Sequence, residues 1–206
     1  MRVRSHWFRD DHARGTGEVA QAVAFNVWRI AQQILRDMRR ADFEIAPGPR
    51  YFDFLAEWLV FLIHVADRNA YERLGDGRTE FTTVLANRTA EILADNQVEL
   101  LGEGTAAEHK ARFIELLNLH LPEYSDFPEL DADCRRYLAA RISVALGPRD
   151  QVWVHDQVME IEAPQAIETV GRVFENLFRL APPGDTSSTR GRAGRREGRP
   201  PAVTGE

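Results

Sequence analysis

One segment constrains the fold more than any other: "FLAEWLVFLIHVADRNAYERLG", residues 54–75. From Phe54 to Ala66 only Glu57 and His64 interrupt the apolar residues, and Asp67, Arg68 and Tyr71 follow at once. Taken as a helix with His64 at zero and about 100° per residue, Glu57 lies near +20°, Arg68 near +40°, Tyr71 near −20° and Asp67 near −60°. Five polar side chains therefore share one edge. Leu55, Trp58, Leu59, Leu62, Ile63, Val65 and Ala66 cover the remaining circumference. A helix apolar over most of its surface has to be enclosed by other helices. At about 1.5 Å per residue the run from 54 to 66 is roughly 20 Å long, short of the roughly 30 Å hydrocarbon core, so it reads as a buried element and not as a membrane span.

The enclosing helices are legible too. Val19, Val23, Val27, Ile30, Ile34 and Met38 step by three or four and predict a first helix over 17–40. "FEIAPGPR" interrupts it, since Pro47, Gly48 and Pro49 cannot continue a helix, and Gly75 offers a left-handed cap at the end of the central one. A third helix is expected over 79–101 with Phe81, Val84, Leu85, Ile92 and Leu93 inward. Thr105 with Glu108 has the capping-box spacing and opens a fourth, which Pro122 should stop. A fifth covers 131–146 with Cys134, Leu138, Ile142 and Ala145 inward. Residues 151–181 read as two helices divided near Pro164, with Ile167, Val170, Val173, Phe174, Leu177 and Phe178 facing the core. No segment alternates as a strand does. The expectation is an all-α, single-domain bundle of six to seven helices: a charged leader at 1–16, the bundle at 17–181, and a disordered Arg/Gly/Pro-rich tail at 182–206. No internal repeat suggests a solenoid.

A chain of 206 residues can bury a core without staples. Its single cysteine, Cys134, makes no intramolecular bridge, and "MRVRSHWFRDDHARG" has no apolar stretch of the export type, so the cytoplasm is the expected location. Of 26 Lys and Arg only Lys110 is a lysine, a bias that suggests a GC-rich bacterial genome. The formal charge is −6, but residues 182–206 hold five Arg against three acids, which leaves −8 on residues 1–181. An acidic body disfavours specific nucleic-acid binding and anionic membranes; the tail offers only weak, salt-sensitive attraction.

Several chemistries fail on spacing. Ferritin-type di-iron bundles need Glu-x-x-His pairs, and no Glu here is followed three residues later by His. The His155-Asp156 dipeptide resembles that of the all-helical HD-type metal phosphohydrolases, but the Asp that should follow downstream is represented only by Asp185, in the tail. There is no G-x-S-x-G, "GEGTA" and "GDGR" complete no phosphate-binding loop, and Cys134 has no base assigned to it. The ligand-binding bundles of bacterial repressors are similar in architecture alone, without a DNA-binding half.

What remains is the polar edge Glu57, His64, Asp67, Arg68 and Tyr71, either hydrogen-bonded internally or lining a pocket. Trp7, Phe8 and Trp153 lie outside the core stripes and are the candidate partner surface. The leading expectation is a non-catalytic helical interaction or accessory protein, of the assembly or chaperone type, that holds a protein partner or a second copy of itself and uses no metal and no cofactor. The alternative is a small-ligand or metal-binding bundle, enzymatic or not, with a pocket beside His64 completed by Glu115, His120 or Glu160.

Overall fold

A computed structural model describes residues 15–146 and 151–179. These are 87% helical and contain no strand, so their cohesion comes from side chains packed between helices. Helix α1 is Thr16–Arg40, α2 Pro49–Leu74, α3 Arg78–Leu101, α4 Ala106–Ser125, α5 Ala132–Ala145, α6 Gln151–Asp156 and α7 Ala163–Arg179. One turn of 3₁₀ helix, Gly75–Gly77, joins α2 to α3, and one stretch of π-helix, Gln157–Glu162, joins α6 to α7.

The ends follow from local chemistry. Pro49 opens α2, where its missing donor costs nothing. Gly75 leaves α2 at φ +49°, and Gly102 caps α3 at φ +66° while donating to the Val98 carbonyl. Those left-handed conformations suit residues without a Cβ. Thr105 and Glu108 form the reciprocal capping box, and the Asp131 carboxylate accepts from the Asp133 and Cys134 amides at the start of α5.

Helix α2 is the axis of the fold. Every residue from Phe54 to Asp67 is buried, and α1, α3, α4, α5 and α7 all pack against it. A single apolar cluster draws side chains from all of these elements, including Val23 and Met38 of α1, Phe81 and Leu93 of α3, Phe113 and Leu117 of α4, Leu138 and Ile142 of α5, and Val170 and Phe174 of α7. No described helix is long and apolar enough to cross a membrane.

Three expectations need correction. Pro122 does not stop α4, which runs one more turn to Ser125 because Tyr124, fully buried, anchors that turn in the core. Residues 151–179 are one continuous helical rod and not two helices, since the π-helical stretch runs directly into Ala163, with Pro164 in the first turn. The all-helical class stands, while the expected count of six to seven helices is slightly off. The leader, with Trp7 and Phe8, and the 182–206 tail lie outside the described residues.

Candidate functional site

The polar edge of α2 is drawn apart by its neighbours. At its N-terminal end the buried Glu57 carboxylate is held by the Arg141 guanidinium of α5, with Nε donating to Oε2 at 3.2 Å and Nη2 to Oε1 at 2.5 Å. At its C-terminal end the Asp67 carboxylate accepts from Arg78 Nε at 2.9 Å, from a second Arg78 nitrogen, and from Thr82 Oγ1 at 2.6 Å. Burial works against ionisation of Asp67, but the Arg78 and Thr82 hydrogen bonds outweigh it and hold the carboxyl below the usual carboxylate range. Arg68 donates outward, to the carbonyls of Phe127 and Pro128. Tyr71 is 66% exposed, with the Arg78 guanidinium 5.0 Å above its ring.

His64 is the exception on this edge. It is 2% exposed, its ring stacks on Tyr124 with centroids 5.4 Å apart, and neither imidazole nitrogen has a hydrogen-bond partner. Burial first, and the Arg68 charge second, push its pKa down to about 4, so the ring is neutral near pH 7. The Tyr124 hydroxyl is also buried without a partner, and burial together with the Glu57 charge raises its pKa. Below them, His120 Nδ1 lies 2.8 Å from both Glu123 Oε2 and the Tyr137 hydroxyl, and Tyr137 donates to the same carboxylate. Hydrogen bonds from Tyr137 and His120 lower the Glu123 pKa. The thiol of Cys134 is fully buried, and burial pushes its pKa up to about 11.

Sequence reasoning placed Glu57, His64 and Asp67 on one edge, and all three are buried on it; Arg68 is half-buried and Tyr71 stands in solvent. The three suggested completing residues do not meet at His64. Glu115 is exposed on α4, Glu160 is exposed in the π-helical stretch, and His120 turns to Glu123 and Tyr137. Among the described residues no three His, Cys, Asp or Glu side chains converge as a metal site would require. Sequence reasoning missed Arg141, Tyr124 and Tyr137. Tyr137 and Arg141 each precede an inward residue of α5, Leu138 and Ile142, and that flanking position was the available signal. It also missed Glu162, a buried carboxyl that accepts from Gln157 Nε2 at 2.9 Å and whose pKa burial raises.

A groove opens elsewhere, between the N-terminal part of α2, the C-terminal part of α3, α4, and the end of α5. It encloses about 450 Å³. Phe52, Leu93, Phe113 and Leu116 give it an apolar lining, Glu57 reaches it with its Arg141 partner attached, and Leu119 and Val144 stand at it 62% and 76% exposed. Asp53, Arg112 and Glu115 also line it, none with a partner among the described residues, and the buried Gln97 Oε1 accepts no hydrogen bond. His109 is fixed at one end by its contact with the Glu103 carbonyl at 2.8 Å. Away from this groove, Trp153 of α6 is 70% exposed although its neighbour Val154 is fully buried. No protein-family model, curated protein or solved structure gives a match to this chain.

Proposed function

We propose that the chain is a non-catalytic helical interaction module, an accessory or assembly-type protein of the cytoplasm that holds a protein partner. The carrying observation is the indole of Trp153, held 70% exposed on a helix whose other face is in the core. Aromatic side chains, Trp above all, are enriched in the contact surfaces of proteins and tend to dominate their binding energy. Leu119 and Val144, both more exposed than buried, add apolar surface on another part of the bundle. The buried carboxylates of α2 support the reading in a second way, because Glu57 and Asp67 already spend their acceptors on Arg141, Arg78 and Thr82.

A photo-crosslinking residue in place of Trp153, with the exposed Asn87 of α3 as the control position, tests this in cells of the source organism. A discrete protein adduct at 153 and none at 87 is the expected result. If position 153 yields no adduct and light scattering of the purified chain shows a monomer at every concentration, the interaction reading fails.

The small-ligand alternative has one observation on its side, the unpartnered His64 nitrogens beside the unpartnered Tyr124 hydroxyl. Elemental analysis and a thermal-shift screen comparing the wild type with His64→Ala address it directly. A stoichiometric metal, or a ligand that stabilises only the wild type, favours that alternative over the interaction module.

A further inference from the structure

The groove between α2, α3, α4 and α5 has a composition that selects its occupant. Its apolar lining continues to the surface through Leu119 and Val144, so an inserted side chain would bury area that is now wet. Its free polar groups are unequal in sign. Asp53 and Glu115 present carboxylates and Gln97 a buried oxygen without a donor, while Arg112 is the one unpartnered cation lining it among the described residues. The Glu57 and Arg141 charges are spent on each other, and His109 is engaged by the Glu103 carbonyl. Among these free ionic groups carboxylates outnumber cations two to one. The chain around the groove is acidic as well, since residues 1–181 carry a formal −8 once the Arg-rich tail is set aside.

We infer that this groove is the docking site for a segment of the protein partner that inserts apolar side chains and flanks them with Arg or Lys, whose donors meet Asp53 and Glu115. The inference rests on the interaction reading and names the chemistry of the partner. An acidic or purely aliphatic segment would leave the carboxylates desolvated without a counter-charge. A cationic one also gains in association rate from the field of the body.

Two fluorescent peptides serve as probes, sharing Leu and Phe positions and differing only in Arg or Glu at the charged ones. Each is titrated by fluorescence polarisation against the full chain, against Asp53→Asn/Glu115→Gln, and against Glu80→Gln/Glu168→Gln, which removes the same charge from exposed sites outside the groove. The wild type should favour the Arg peptide by about tenfold, and the groove variant should lose about fivefold of that, the size expected of two partly exposed ion pairs. The control variant should keep the wild-type preference. Leu119→Ser should weaken the Arg peptide without altering the fold, which circular dichroism checks. Equal binding of both peptides overturns the inference, as does a preference that survives in the groove variant or is lost equally in the control. Self-association of the wild type that the groove variant abolishes also overturns it, by making a second copy the occupant. A crosslinked adduct at position 153 that persists through any of these results leaves the interaction reading standing while this inference falls.

Discussion

Replacing His64 with phenylalanine should remove most of the acid sensitivity of the fold between neutral pH and about pH 4.5. The ring of His64 is 2% exposed, stacked on Tyr124, and without a hydrogen-bond partner for either nitrogen, so protonating it places a charge where nothing compensates it. Its pKa is lowered from 6.5 to about 4, by burial foremost. A folded value below the unfolded one means that, between the two, the unfolded chain binds the additional proton. Stability from this group is complete above the unfolded value and is lost as pH falls from about 6.5 toward about 4. Integrating the linkage relation with those two values gives a loss of roughly 2–3 kcal/mol between about pH 7.5 and pH 4.5, a large share of a typical 5–15 kcal/mol stability. Phenylalanine keeps an aromatic ring against Tyr124 and cannot titrate, and any packing cost of the larger ring is common to both pH values. Urea unfolding of wild type and His64→Phe at the two pH values, followed by far-ultraviolet circular dichroism, reads the difference of differences. Carboxylates and other histidines contribute equally to both proteins and cancel. If the two proteins lose the same stability on acidification, His64 is not a buried neutral ring and the description of α2 as fully enclosed at that point is wrong.

Three further outcomes follow from the same geometry. Arg141→Met strands the Glu57 carboxylate and should cost about 2–3 kcal/mol by urea unfolding, less than a fully buried pair because the Arg141 side chain is 26% exposed, whereas the joint change Glu57→Leu/Arg141→Leu should cost much less. Asp67→Asn should destabilise at neutral pH by about 2 kcal/mol. Because the folded pKa of Asp67 is depressed from 3.8, its contribution is present above that value and lost as pH falls through the lower folded one, so wild type and variant should converge in strong acid. Cys134, buried and with its pKa pushed up to about 11, should react with a thiol reagent at mildly alkaline pH only at the rate of unfolding, and its rate should rise in step with urea-induced opening.

The axis of the fold was legible because α2 violates the usual one-sided pattern: a run in which only Glu57 and His64 interrupt apolar residues has one stable place, the middle. The capping box at Thr105 and the proline at the start of α2 were legible because caps are local chemistry. The partners of the polar edge were not. Glu57 meets Arg141 across 84 positions and Asp67 meets Arg78 around a turn, and no single-helix periodicity encodes which neighbour a buried carboxylate will find. The groove was invisible for the same reason, since its lining comes from four helices, and Asp53, Arg112 and Glu115 read from sequence as ordinary solvated charges. Pro122 misled because a proline's missing donor is a local penalty, while burying Tyr124 two residues later is a tertiary gain.

The π-helical stretch Gln157–Glu162 reverses the usual rule about length changes in helices. In an uninterrupted α-helix at about 100° per residue, Val154 and Val158 would point roughly opposite to Val170 and Phe174, yet all four are buried. The wide turn takes up about one residue's worth of rotation and so brings the halves nearer in phase, α6 against α5 and α7 against α1 and α2, and it also sets Gln157 against Glu162. Shortening the chain by one position inside 157–162 should therefore yield an ordinary helix with both flanks facing as before, whereas the same deletion inside α7 would twist its hydrophobic side out into water.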